Sequence, residues 1–201
     1  MLNKKDARLL FLFIRYSGYL VPRPLNDYVK ISKTMHPFLV GKRDIYYFYE
    51  LEKSLYGIRA TLEVFKNIVA NEGKILFISD SLPLQSCFSR DPNIDCIKWK
   101  RGSILKSKNA DLVFLSNINK ENMVEAHRKC LLLVGLGSPT MSKIAYPFNL
   151  NLDSSFLSDW FFGAIYTSYV QGKRLSNKSK NKNKNLSLLG KGQLKINKNE
   201  I

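Results

Sequence analysis

The strongest pattern in the chain lies between residues 45 and 79. Leu51, Leu55, Ile58, Leu62, Phe65 and Val69 recur at intervals of three and four, which places them on one face of a helix about five turns long. Two compact apolar runs flank it. Ile45-Tyr46-Tyr47-Phe48-Tyr49 comes before, and Gly73-Lys74-Ile75-Leu76-Phe77-Ile78-Ser79 comes after, released by a glycine and stopped by Asp80 and Ser81. Strand, amphipathic helix and strand within roughly 35 residues read as a βαβ unit, whose crossover requires a parallel pair.

Elements of the same kind continue on both sides. Lys5 to Tyr16 reads as a helix closed by Ser17-Gly18, and Pro22 and Pro24 then break any regular element. Downstream, 96–99 and 111–116 are candidate strands. Asn119 can cap a short helix to Arg128 with Met123, Val124 and Ala126 turned inward. Leu131 to Val134 is almost wholly apolar, as parallel strands covered on both faces tend to be. Tyr146 to Asn149 is extended. The last helix, Ser154 to Val170, carries Leu157, Trp160, Phe161, Ala164, Ile165 and Tyr169 as an aromatic-rich buried stripe. The pattern predicts an α/β fold: three layers, α/β/α, of flavodoxin-like or Rossmann-like kind. About five parallel strands are expected, at 45–49, 74–79, 96–99, 111–116 and 131–134. Residues 1–34 form an N-terminal helix and basic lead-in, 35–172 the α/β domain, and 173–201 a Lys- and Asn-rich tail.

Composition adds a partner class. The 201 residues are 45% hydrophobic, enough for one core of ordinary size, and carry a net charge of +16 from 32 basic against 16 acidic residues. Such an excess points to a polyanionic partner. The tail holds nine basic residues and one acid, Glu200, and cannot bury enough area to fold alone, so disorder in the free chain is expected there. Cys87, Cys96 and Cys130 lack CxxC spacing, which argues against a disulfide framework or a zinc site and fits a reducing compartment. No apolar run approaches the ~20 residues that span a bilayer. Lys4, Lys5, Arg8 and Arg15 give the first 20 residues some likeness to an amphipathic targeting segment, against which Asp6 counts.

The expected RNA-binding residues are spread along the chain. Lys42 and Arg43 lead into the first strand, either as a solvated pair or as phosphate contacts beside a sheet edge. Lys98, Lys100, Arg101, Lys106 and Lys108 surround Trp99 and the flexible Gly102-Ser103. The cations can meet phosphates, while Trp99 is either core packing or a platform for an unpaired base. Lys173, Arg174, Lys178 and Lys180 begin the tail. Candidate chemistry is sparse. His36 and His127 have no acid or cysteine at ligand spacing, and the Gly135-Leu136-Gly137-Ser138-Pro139 turn lacks a full GxGxxG. Asp80-Ser81 occupies the strand end where an α/β enzyme places polar groups, but nothing pairs with it. No catalytic residue, cofactor or metal is expected.

Several segments, in order, resemble one family, that of small ribosomal subunit protein two, in an organellar form. Met35-His36-Pro37-Phe38-Leu39-Val40-Gly41-Lys42-Arg43 is similar to the family's segment ending in phenylalanine-glycine-x-arginine. Leu51-Glu52-Lys53-Ser54 stands where the family reads leucine-x-lysine-threonine. Gly73 to Ile78 is close to the family's wording, and Lys98-Trp99-Lys100-Arg101-Gly102 is similar to its tryptophan element. Asp111 to Ser116, Glu125-Ala126, Pro147, Asn149 and Gln171-Gly172-Lys173 continue the likeness over residues 35–173. The departures are as clear. Only Ser103 to Asn109 stands where the family often inserts a long helical hairpin. Gly135-Leu136-Gly137 replaces its aspartate-threonine-asparagine, and its upstream glycine-histidine segment is not recognisable in 20–34. The resemblance implies a structural protein without chemistry at the head–body junction of the small subunit. Its partners would be small-subunit ribosomal RNA and neighbouring proteins, with no membrane contact and no homo-oligomer. Abundant Lys, Asn, Phe and Tyr fit an AT-rich mitochondrial genome and hence a mitochondrial ribosome. The alternative is a small RNA-modifying enzyme with a nucleotide or S-adenosylmethionine site at the strand ends.

Overall fold

A computed structural model describes residues 4–22, 33–79, 87–88, 91–107, 110–115, 120–136, 146–152 and 154–196. Among them the chain forms a mixed α/β fold in which several helices pack around two sheets. Helix α1 spans Lys4–Arg15, and strand β1 Leu20–Pro22 follows. A 3-10 helix at Lys33–Phe38 leads into β2, Leu39–Arg43, then β3, Tyr46–Tyr49. Helix α2 covers Leu51–Ala70. Beyond it come β4 Ile75–Ile78, β5 Ile94–Ile97, α3 Ser103–Lys106, β6 Leu112–Leu115, α4 Lys120–Arg128, β7 Leu133–Leu136 and β8 Tyr146–Phe148. Helix α5 closes the series at Ser155–Ile196.

The larger sheet has the order β5-β4-β6-β7-β8, and every neighbouring pair in it is parallel. Four of the five expected strands are members of it, with bounds that differ by one or two residues. The fifth is not. The run at 45–49 lies instead in a three-stranded sheet, β1-β3-β2, antiparallel to both neighbours. The βαβ reading of 45–79 therefore fails at its first strand. Arg43 pairs with Tyr46 across the two-residue turn Asp44-Ile45, with Asp44 at φ 52°. Aspartate tolerates that left-handed conformation better than most residues, and the turn folds β3 back on β2. Leu20 to Pro22 occupies the other edge of β3. The vacant place in the parallel sheet goes to Tyr146–Phe148, paired with β7.

Each central strand divides its side chains between two cores, as a period of two requires. Ile75, Phe77, Leu112, Phe114, Val134 and Phe148 join Leu55, Ile58, Phe65 and Val69 of α2 with Leu157, Phe161 and Ile165 of α5. Phe77 stacks on Phe114 at 4.6 Å, and Phe65 meets Phe114 edge-on at 5.6 Å. Leu76, Ile78, Val113, Leu115 and Leu133 face Ile104, Met123 and Ala126 in the second core. Val124, expected inward, is exposed, because the α4 face that meets the sheet passes through 123 and 126. Phe13 of α1 is fully buried in the first core and meets Trp160 edge-on at 5.0 Å. The segment set apart in sequence at residue 34 thus shares the main core through its helix.

The last helix does not stop near residue 170. Gly172 lies inside α5, where it lets α2 come close: a Cβ built on it would stand 2.7 Å from the Lys66 carbonyl oxygen and 2.8 Å from Val69 Cβ. The glycine marks a helix–helix contact, not a terminus. Residues 173–180, expected to begin a tail, continue the helix, and Ser176 is buried.

Candidate nucleic-acid interface

The basic mid-chain segment begins where β5 ends. The strand stops at Ile97, so Trp99 lies beyond it and not on a strand face. Trp99 is half-buried against the core that contains Ile104, and its indole N–H has no hydrogen-bond partner. The ring packs against that core with part of its surface exposed. Around it Lys98, Lys100, Arg101 and Lys106 are exposed. Lys108 lies outside the described residues.

The loop is held by a buried carboxylate from another element. Glu125 on α4 accepts hydrogen bonds from the Gly102 N–H at 2.6 Å and the Ile104 N–H at 3.2 Å. These are otherwise unsatisfied donors at the start of α3, and an acidic acceptor suits that end of a helix. Gly102 has φ 82°, a conformation strained for any side chain bearing a Cβ. Ser103 Oγ accepts from the Lys100 N–H at 3.3 Å, and the Ser103 N–H donates to the Lys100 carbonyl at 2.8 Å. Lys129 Nζ donates to the Ser107 carbonyl at 2.7 Å. Lys100, Arg101 and Lys106 therefore project from a backbone fixed at several points. Glu125 as a clamp, and Lys129 beside it, escape a reading by sequence neighbourhood. The only linear signal is the Glu125-Ala126 pair among the family-like segments.

The C-terminal cations behave differently. Lys173 pairs with Asp91 at 2.7 Å, and Lys180 pairs with Glu72. Asp91 is buried and also accepts from the Tyr169 hydroxyl at 2.8 Å and the Asn93 N–H at 3.1 Å. Burial pushes the Asp91 carboxyl up, but the Lys173 ammonium, the Asn93 N–H and the Tyr169 hydroxyl outweigh it and hold the group below its ordinary range. Burial and the bond to Asp91 raise the Tyr169 hydroxyl to about 12. Lys180 and the Ser176 hydroxyl, 3.1 Å away, likewise lower Glu72. Asp91 precedes β5 and Glu72 precedes β4, whereas Lys98 to Arg101 follow β5. Lys98, directly after β5, and the two paired lysines of α5 thus stand at opposite ends of the parallel sheet. Arg174 and Lys178 are exposed on α5.

Lys42 and Arg43 are exposed on β2, an edge strand of the smaller sheet. The described members of the expected set therefore lie on three separate parts of the fold: β2, the segment after β5, and α5. His36 is exposed, and His127 is half-buried with Nε2 unpartnered. Gly135 is inside β7, paired with Pro147, and not in a turn after the strand. Gly137 to Pro139 and Asp80-Ser81 lie outside the described residues, as do most residues at the carboxyl ends of the strands. Among the described residues no cluster of His, Cys, Asp and Glu could hold a metal ion, and no helix is long and apolar enough to cross a membrane. No protein-family model matches the chain, and no curated protein matches it.

Proposed function

We propose that the protein is a structural constituent of the small ribosomal subunit, of a mitochondrial ribosome, docked on ribosomal RNA and on neighbouring proteins near the head–body junction. The observation that carries this reading is the clamped basic loop. Lys100, Arg101 and Lys106 are exposed on a backbone pinned by Glu125, within a chain of net charge +16. Cations on ordered backbone meet phosphates at a smaller entropic cost than cations on a free tail. The finer fold reading agrees. Apolar cores on both faces of the sheet support three layers, and its strand order, renumbered along the chain, is 2-1-3-4-5, the flavodoxin-like order. The ordered resemblance over 35–173 supplies the family.

The same strand order favours a second reading, an RNA-modifying enzyme. Folds of this order bind ligands at the carboxyl ends of the strands where the order reverses, here between β4 and β6. Gradient sedimentation of a tagged chain from its native source separates the two. Co-migration with small-subunit RNA, stable to moderate salt, is expected. A free monomer carrying a nucleotide or S-adenosylmethionine overturns the ribosomal reading.

A further inference from the structure

One surface of this basic protein is apolar and acidic. Helix α1, the smaller sheet and the start of α2 enclose an open trough of about 550 Å³ whose walls include Ile14, Val40, Phe48 and Leu51, with Glu50 and Glu52 also lining it. Ile14 is 55% exposed and Val40 72%, and Phe11, one helical turn before Ile14, is 67% exposed. Large apolar side chains left this open in a contiguous group mark an interaction surface.

The chemistry of the walls narrows the occupant. Carboxylates repel phosphate, and aliphatic walls offer RNA no hydrogen bonds, so this is not a nucleic-acid surface. A small apolar molecule is normally enclosed on most sides, whereas here the exposed side chains continue past the trough to Phe11. A second copy is disfavoured twice: each chain carries +16, and a two-fold contact would set the same acidic patch against itself. Glu50 is paired with Lys53 at 2.6 Å, while Glu52 has no partner among the described residues. Apolar walls and an exposed carboxylate with no described partner together suit a peptide segment, which brings apolar side chains and a cation.

We infer that this trough is a protein-docking site. Its occupant is a short amphipathic segment of a neighbouring protein, apolar on one side and carrying a lysine or arginine that meets Glu52. This deepens the ribosomal reading and rests on it. The test places a photoreactive benzoylphenylalanine at Val40 of the full chain, assembled in its native source, and maps cross-links in the sedimented particle. The expected result is a link to a single protein segment with apolar residues at helical or alternating spacing and a basic residue beside them. Glu52→Lys should lower its yield by about tenfold, as replacing an ion pair with a like-charge contact does. A link to RNA, to a second copy or to a segment without apolar residues overturns the inference, as does an unchanged yield in Glu52→Lys. A chain that enters the particle but gives no link at Val40 overturns the trough alone. A chain that never enters the particle overturns the ribosomal reading with it.

Discussion

The two basic regions, the loop after β5 and the cations of α5, meet buried or paired carboxylates put to opposite purposes. After β5, Glu125 binds backbone N–H groups of Gly102 and Ile104 and leaves the cations of that loop exposed. At the amino end of the parallel sheet, Asp91 and Glu72 bind the cations themselves, Lys173 and Lys180, and thereby fasten α5 across the strand starts. Cations of equal formal charge therefore have different uses. A carboxylate that caps backbone frees neighbouring positive charge for a partner, while one that pairs with lysine consumes it. Counting basic residues along the sequence does not separate the two cases.

Removing the backbone clamp should have the largest effect. Glu125→Ala strands two donors at a buried position and is expected to cost about 3 kcal/mol, measured by chemical denaturation. Affinity for a small-subunit RNA fragment should fall further, because Lys100 and Arg101 lose their fixed positions. Unchanged stability would show that the clamp does not hold the loop. The contact that seats α5 comes next. Gly172→Leu drives side-chain atoms into α2 and should cost about 2–3 kcal/mol. Gly163→Ala in the same helix is the control: no atom lies within 4 Å of a Cβ there, and better helix propensity should stabilise by about 0.5–1 kcal/mol.

Breaking the lysine-binding end should do less. Asp91→Asn removes Lys173's counter-charge and is expected to cost about 1 kcal/mol, since Lys173 is partly exposed and solvent screens the pair. Its signature lies in pH. A carboxyl held below its ordinary range contributes stability that is complete above that range. The contribution is lost as pH falls through the lowered value. The Asp91→Asn variant should therefore show a flatter acid limb in a thermal-unfolding series, with little change near pH 7 beyond the constant offset. Lys180→Ala should have the smallest effect, visible at low salt and fading as salt screens the exposed Glu72 pair.

Sequence and structure agree where one element's own pattern decides its environment. The three-and-four spacing of α2 and the apolar runs of β4, β6 and β7 report burial directly: the three strands are buried, as are Leu55, Ile58, Phe65 and Val69, while Leu51 and Leu62 are half-buried against the same core. The failures concern relations between elements. The run at 46–49 has the composition of a strand, but nothing within it says which sheet it joins. That is set by the turn at Asp44-Ile45 and by Leu20–Pro22 on its other side. Gly172 reads as an end because glycine usually terminates helices, whereas the close approach of α2 is a tertiary fact. For the candidate interface, the cations are legible and their partners are not. Glu125 is 23 residues from Gly102, and Asp91 is more than 80 from Lys173.

The contrast between the two basic regions can be measured in one experiment, an RNA titration across a salt series with single-site variants. Each phosphate neutralised adds about 0.9 to the magnitude of the log–log salt slope, if duplex DNA behaviour carries over to RNA. Arg101→Ala should lower that magnitude by close to one phosphate's worth, as should Lys100→Ala. Lys173→Ala should leave it unchanged, because that ammonium is already held by Asp91. A loss of one phosphate's worth of slope in Lys173→Ala, with wild-type binding in Arg101→Ala and Lys100→Ala, would contradict the division between the two basic regions and move the interface to α5.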